Sequence, residues 1–317
     1  MRVAVLLLAV PFSGEAQQAG KVARLGVLLF STPEGDPNVA AFRQGLSELG
    51  YVEGKNLTPV YRYASGKSER LPGLAKELAV LKPDAIVAIG GDVAPFARTA
   101  TSTIPIIVAV SNDPVQAGLV ASFSKPGGNV TGVTFVSSDL AAKRLQLLKQ
   151  AAPQILRVAV LWNPDHIDPE YRETQAAGKV LGVHVQSLEV RRTEDFDTAF
   201  QAAAADGAEA IVVVSSRLMT INRARILELA ARRRLPVVAG SGPWVETGAL
   251  LSYGPDLNLM ARRAATYVDR VLKGANPANM PVEQPTKFDL MINLKTAVVL
   301  GLSIPPSLRL QAASIVE

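Results

Sequence analysis

The chain has 317 residues, a formal net charge of +5 and no cysteine. The lack of cysteine excludes disulfide bonds, thiolate metal ligands and a cysteine nucleophile. Lysine and arginine are scattered apart from short clusters such as residues 232–234, which argues against a nucleic-acid interface, since that requires positive charge gathered on one face.

The first sixteen residues have the features of an export signal. Arg2 provides a positive start, residues 3–10 form a short apolar run, and Ala16 is a small residue at the cleavage position. We therefore predict a signal peptide over residues 1–16 and a soluble, periplasmic mature chain. No cysteine follows the cleavage site, so a lipid anchor is not expected. The alternative is a buried N-terminal strand.

From residue 24 onward, short β-branched runs alternate with helical patterns, and Gly, Pro or Asp separates them. Strands are predicted at residues 24–30, 56–63, 84–89 and 105–110. Asp36 is the expected cap of the first helix, with Pro37 at its first position. The alternation is typical of parallel α/β sheets.

The pattern then restarts, with strands at residues 157–162, 209–214 and 236–239 in the same order. We predict an α/β fold of two doubly wound, Rossmann-like lobes. The alternative is one doubly wound protein with chance echoes. A long amphipathic helix follows Tyr253 and ends near Gly274, and one more strand is predicted at residues 288–292.

Three extended segments are predicted to cross between the lobes and to form a three-strand hinge. They lie near residues 130–134, 252–255 and 282–286. The N-terminal lobe is then expected to hold residues 21–134 and 256–280. The C-terminal lobe is expected to hold residues 135–252 and 285–317.

Ligands of parallel sheets bind outside the carboxyl ends of the strands, so the residues after each strand are candidate contacts. They are small and mostly polar in both halves of the sequence. The candidates are Ser31, Thr32, Gly91, Asp92, Asn112, Asp113, Asn163, Ser215, Ser241 and Tyr253. Each polar one has the alternative of only capping a helix or turn, since Ser, Asn and Asp are preferred there.

Aromatic side chains also fall near the strand ends. Phe30, Trp162 and Tyr253 could stack on a flat ligand, with core packing as the alternative. Trp244 is a further candidate for a lid.

No motif of an enzyme site is present. The segment that starts at Gly90 lacks the third glycine of a dinucleotide fingerprint, and neither a phosphate-binding loop nor a nucleophile elbow appears. The two histidines, His166 and His184, do not have metal-ligand spacing, and His184 is expected to be structural. We therefore expect no catalysis, no cofactor and no metal.

Residues 112–120, 125–134, 251–256, 281–288 and 301–308 resemble motifs of bacterial ABC transporter substrate-binding proteins. The resemblance implies the type I periplasmic binding fold, with members that bind aromatic amino acids such as tryptophan. It implies ligand contacts after the first strand and at Gly91, Asp92, Asn112, Asp113 and Tyr253. Residues 239–243 lack the aromatic side chain often found there, which favours a ligand shaped differently from tryptophan.

The expected function is capture of a small polar or amphipathic ligand, an amino acid or related carboxylate, by a monomer that delivers it to a membrane permease. Ser31 or Thr32, with N–H groups near Asp92, would hold the carboxylate. Asp113 would hold the ammonium, and Tyr253 would pack on the apolar part. The alternatives are a ligand-sensing module of a receptor or regulator and, less favoured, an α/β enzyme.

Overall fold

The computed structural model describes residues 22–166 and 169–317, so the predicted signal peptide lies outside the described residues. The strands are β1 (Ala23–Leu29), β2 (Leu57–Tyr63), β3 (Ala85–Ile89), β4 (Ile106–Ser111), β5 (Val130–Thr134), β6 (Arg157–Trp162), β7 (His184–Glu189), β8 (Ala210–Val213), β9 (Val237–Ala239), β10 (Leu251–Gly254), β11 (Asp289–Asn293) and β12 (Ser314–Val316). The helices are α1 (Pro37–Glu48), α2 (Leu71–Val80), α3 (Ala94–Ala100), α4 (Ala141–Ala151), α5 (Glu170–Leu181), α6 (Asp195–Ala205), α7 (Arg217–Ile221), α8 (Arg223–Arg232), α9 (Gly242–Thr247), α10 (Leu257–Leu272), α11 (Leu294–Leu300) and α12 (Pro306–Gln311).

The N-terminal sheet is parallel and has the strand order β2-β1-β3-β4-β5. Successive side chains of a strand point to opposite faces, so Leu25 and Val27 of β1 face one side and Leu28 faces the other. Helices α1 and α10 cover the first face, and α2 and α3 cover the second. Both faces are therefore buried, which explains the almost unbroken apolar sequence of β3.

Among the described residues, the C-terminal sheet has seven strands in the order β12-β11-β10-β9-β8-β6-β7, and only the β10–β11 pair is antiparallel. Helix α4 packs on one face through Leu145 and Leu148. Helices α6, α8 and α9 pack on the other through residues such as Phe196 and Ile226.

Five strands of this sheet repeat the order of the first sheet. The spatial strand order β7-β6-β8-β9-β10 matches β2-β1-β3-β4-β5 position by position. The predicted restart of the strand pattern and the two doubly wound sheets are therefore confirmed. In each sheet the order reverses beside the first strand, and this is where ligands bind in open α/β sheets.

Within residues 22–166 and 169–317, the chain passes between the two sheets three times: after β5, between β10 and α10, and between α10 and β11. The third passage is hydrogen-bonded to the end of β5, because Glu283 N–H donates to Gly132 O and Thr134 N–H donates to Glu283 O, both at 2.9 Å. The residue bounds of the two lobes stay predictions, and so does the action of the three connecting segments as a hinge. Within the described ranges, no helix is both long and apolar enough to cross a membrane.

Candidate ligand-binding cleft

The strand ends of the two sheets face each other across a narrow cleft. A cavity of about 30 Å³ lies there and is lined from both sides. Gly91 and Asn112 contribute from the N-terminal side, and His166, Ser215 and Arg217 contribute from the C-terminal side. We refer to it as the inner cavity.

A larger cavity of about 200 Å³ adjoins the inner one and shares Thr220 and Leu257 with it. We refer to it as the outer cavity. Asn38 of α1 lines it from the N-terminal side, and Ser241 and Glu246 line it from the C-terminal side. Both cavities thus lie between the two sheets.

Two carboxylates of the N-terminal side meet basic groups of the C-terminal side. Asp36 Oδ1 lies 2.5 Å from Arg217 Nη2, and the two side chains are 0% and 5% exposed. Asp36 also caps α1 as predicted, since its Oδ1 accepts from the N–H of Asn38 at 3.0 Å. Asp92 contacts His166 Nδ1 and accepts the backbone N–H of Arg217 at 2.9 Å.

The imidazole of His166 is almost fully buried, and burial disfavours its charged form. Burial therefore lowers the pKa of His166 to about 4. His166 is therefore neutral at neutral pH and bonds to Asp92 as a neutral ring.

Two glycines leave room for neighbouring side chains, Gly90 across the cleft and Gly91 within the N-terminal side. Gly90 has φ +107°, and a Cβ there would lie 2.7 Å from Cδ of Arg217. A Cβ on Gly91 would overlap the side-chain amide of Asn112. Both positions therefore require glycine for this packing.

A fully buried ion pair lies beneath the C-terminal side. Arg144 Nη1 is 2.5 Å from Glu170 Oε1, and both side chains are 0% exposed. Glu170 Oε2 accepts from Ser137 Oγ at 2.6 Å and from the N–H of Ser215 at 3.1 Å. Because Ser137 and Ser215 line the inner cavity, this network fixes the floor of the cleft.

The structure brings five of the ten predicted site residues to the cleft. Gly91, Asn112 and Ser215 line the inner cavity, and Ser241 lines the outer one. Asp92 makes the cross-cleft contacts described above.

The other five do not line either cavity. Ser31 is buried, and Thr32 Oγ1 accepts from Gly35 N–H at 3.0 Å. Asp113 Oδ1 accepts the N–H groups of residues 115 and 116, at 2.8 and 3.1 Å, so its carboxylate caps a turn. The side-chain oxygen of Asn163 likewise accepts from the N–H of residue 165. The ring of Tyr253 packs against Phe288, with ring centroids 6.2 Å apart.

The other aromatic candidates pack within the protein. Phe30 and Trp244 are 3% and 4% exposed and belong to the hydrophobic core, so the prediction of Trp244 as a lid is wrong. Trp162 stacks on Tyr171 with ring centroids 4.6 Å apart. Among residues lining the two cavities, the aromatic one is Phe135.

Sequence reasoning missed several residues of the cleft. Arg217 follows Ser215 and Ser216 at the end of β8, so its position in the sequence could have indicated a place in the cleft. Asp36 was predicted only as the cap of α1. Arg144 and Glu170 gave no signal, because charged residues on amphipathic helices usually face solvent. In the part of the chain that the structure describes, no group of three or more acidic or histidine side chains could hold a metal.

Comparisons with known proteins agree with this architecture. The family model for ABC transporter substrate binding proteins matches residues 26–316. A tyrosine-binding protein of Clostridioides difficile (strain R20291) is 26% identical over 277 residues, which are 86% of this chain and 79% of that protein.

Two solved structures, each 26% identical, cover 93% of this chain and 99% of their own. An ABC domain in complex with L-Trp from Streptococcus pneumonia has a TM-score of 0.85. A ligand-free, open substrate binding protein from Clostridium difficile has a TM-score of 0.64. The family consists of solute-binding proteins and not of enzymes. With its two repeated sheets and its match over nearly all described residues, the chain belongs to the family of ABC transporter substrate-binding proteins.

Proposed function

We propose that this protein is the extracytoplasmic solute-binding component of an ABC importer. It captures an amino acid between two lobes that close about the three connecting segments, and it delivers the ligand as a monomer to a membrane permease. The predicted export signal would place it in the periplasm.

The observation that carries this proposal is the polar cleft shared by the two sheets. It brings small hydrogen-bonding groups and opposite charges to one place, which suits a small polar ligand. The amino-acid class is supported by the relatives, one named for tyrosine and one solved with L-Trp.

Closure is supported by the difference between the two solved relatives. At equal identity, the fold is more similar to the L-Trp complex than to the ligand-free, open protein. The side chains that bridge the cleft in this structure are those expected of a closed arrangement. The three connecting segments allow such a hinge motion.

Neither cavity alone has the size of an ordinary ligand pocket, which is about 300–1,000 Å³. We therefore propose that the ligand occupies both. Gly91, Asn112, Ser215 and Ser241 would contact it, because they line the cavities from opposite sides.

The test is identification of the ligand. Protein purified from its native host would be unfolded, and released small molecules would be identified by mass spectrometry. Calorimetric titration of refolded protein with the twenty common L-amino acids follows. We expect one amino acid, or a related group, to bind with micromolar or tighter affinity. Absence of binding by all twenty, with no amino acid released, would contradict the proposal.

A further inference from the structure

We propose that Asp36 and Arg217 form the receptor for the two charges of a zwitterionic ligand, with Arg217 taking the carboxylate and Asp36 the ammonium. In the closed structure they pair with each other across the cleft, and a bound zwitterion would insert between them. This inference rests on the proposed function and names the residues that select its ligand class.

The first observation is the burial of the pair. Both side chains are at least 95% buried, and they belong to opposite sides of the cleft. Removing two charges from water is costly, and the attraction between them compensates only when their hydrogen-bonding capacity is also used. A buried pair with unused capacity is therefore suited to receive further polar groups.

The second observation is that this capacity is unused. In the described residues, Asp36 Oδ2, Arg217 Nε and Arg217 Nη2 have no hydrogen-bond partner, although the Nη2 atom makes the ion pair. A guanidinium offers a planar fork of donors that fits a carboxylate with two parallel hydrogen bonds. The free oxygen of Asp36 offers an acceptor to an ammonium.

The third observation is the position of the pair. Arg217 lines the inner cavity, and Pro37 and Asn38, which follow Asp36 directly, line the outer one. The pair therefore lies close to both cavities. The buried side-chain nitrogen of Asn38, also without a hydrogen-bond partner in the described residues, lies on the outer side. A ligand side chain would extend into that cavity.

A zwitterion is the ligand class that leaves neither charge unpaired. An amine without a carboxylate would pair with Asp36 but leave Arg217 without a negative partner. A carboxylic acid without an amine would pair with Arg217 but leave Asp36 without a positive partner. The pair therefore selects molecules with both groups close together, as in an α-amino acid.

Calorimetric titration with matched analogues tests this directly. The probes are L-tyrosine, tyramine, which lacks the carboxylate, and 3-(4-hydroxyphenyl)propionate, which lacks the ammonium. If the twenty-member panel identifies another amino acid, its own amine and acid analogues replace these. We expect the wild-type protein to bind the amino acid about 30-fold or more tightly than either analogue, because each analogue leaves one buried charge unpaired.

Two variants remove one charge each. Asp36→Asn keeps an oxygen that can cap α1, and Arg217→Met keeps an unbranched, flexible side chain, although a shorter one. Each should lose about 30-fold in affinity for the amino acid. Arg217→Met should bind tyramine at least about 10-fold more tightly than the wild type does, because no arginine is then left unpaired, and Asp36→Asn should gain affinity for the acid for the same reason.

Asp197→Asn and Arg225→Met are the matched controls. These residues form an ion pair of 2.8 Å on the surface of the C-terminal lobe, with side chains 54% and 39% exposed. Neither control should change affinity for any probe. The melting temperature of each single variant shows whether it is folded when binding is lost. The double variant Asp36→Asn/Arg217→Met leaves no unpaired charge, so it should be more stable than either single variant and still bind the amino acid weakly.

The affinities of the two single variants for the three probes decide the outcome. If the amino acid binds and both single variants, folded by their melting curves, keep wild-type affinity, this inference is overturned and the proposed function stands. The same holds if each variant weakens all three probes equally. If no amino acid binds to the wild-type protein, both fail.

Discussion

The two sides of the cleft differ in charge and in how they are held. The N-terminal side presents carboxylates, Asp36 and Asp92, on loops that follow strands and contain closely packed glycines. The C-terminal side presents Arg217 and His166 above a fully buried ion pair. Asp36 and Arg217 are complementary in charge, whereas the neutral ring of His166 meets Asp92 as a hydrogen-bond partner. The local stability of the two sides also has different origins. The buried Arg144–Glu170 network supports the C-terminal side. On the N-terminal side, Gly90 and Gly91 have no side chains, and this allows the loop to pack closely.

The largest expected effect is on the buried network. Glu170→Ala leaves Arg144 buried without its carboxylate and removes the acceptor of Ser137 and Ser215. The free energy of unfolding should fall by about 3–5 kcal/mol, as expected for breaking a buried pair. Urea denaturation measures this. Glu173→Ala, an exposed position on the same helix, should change it by less than about 0.5 kcal/mol. Equal effects of the two substitutions would contradict the role of the network.

The next effect is the pH dependence caused by His166. Its pKa is lowered to about 4 in the folded protein, against a usual value of 6.5, so the unfolded chain binds the proton first as pH falls. Stability should therefore decrease as pH falls from about 6.5 to about 4, by about 2–3 kcal/mol from this group. Chemical denaturation of wild type and His166→Gln across this range isolates the contribution.

His184 is the matched control for this experiment, because its side chain is 61% exposed. His184→Gln should follow the wild-type curve. A His166→Gln curve with the same pH dependence as the wild type would show that burial does not hold His166 neutral.

A smaller effect on stability is expected from substitution of Gly90, on the N-terminal side of the cleft. Gly90→Ala forces a side chain into φ +107° and into the space of Arg217. We expect a loss of about 1–3 kcal/mol, because both backbone strain and overpacking contribute. Ligand affinity should fall as well, because the clash is across the cleft. Thermal melting and calorimetry measure the two.

Gly73→Ala in α2 provides the control, since no atom lies within 4 Å of the added Cβ. It should be neutral or stabilise the protein by about 0.5–1 kcal/mol. If Gly90→Ala behaves in the same way, close approach at Gly90 is not required.

The smallest effect concerns Asp113, which the sequence nominated for the ligand ammonium. Its carboxylate accepts two backbone N–H groups of a turn. Asp113→Ala should therefore cost about 1 kcal/mol of stability, as for a lost cap, and leave affinity unchanged. A loss of affinity without a change in melting temperature would instead favour the binding role.

The sequence was sufficient to predict the central strands β1, β3 and β4 and their counterparts β6, β8 and β9, because buried parallel strands have short β-branched runs and their order repeats in the two halves. It did not predict β12, and it assigned the residues of β5 and β10 to segments that cross between the lobes. Gly91, Asn112, Ser215 and Ser241 were predictable because strand ends gather at one edge of a sheet. The Asp36–Arg217 pair was not, since each residue has a local explanation and their meeting depends on how the two sheets face each other. The same holds for Glu170, whose burial depends on Arg144 from a different helix.

The most direct test of the account is the distance between the lobes with and without ligand. The sequence has no cysteine, so Val80→Cys and Val180→Cys, at positions 78% and 86% exposed on α2 and α5, accept spin labels at two defined sites. Pulsed electron paramagnetic resonance should show a broad distribution of distances without ligand, and a narrow, shifted one at saturating amino acid. An identical distribution in both conditions, with binding confirmed by calorimetry, would contradict closure of the two lobes on the ligand.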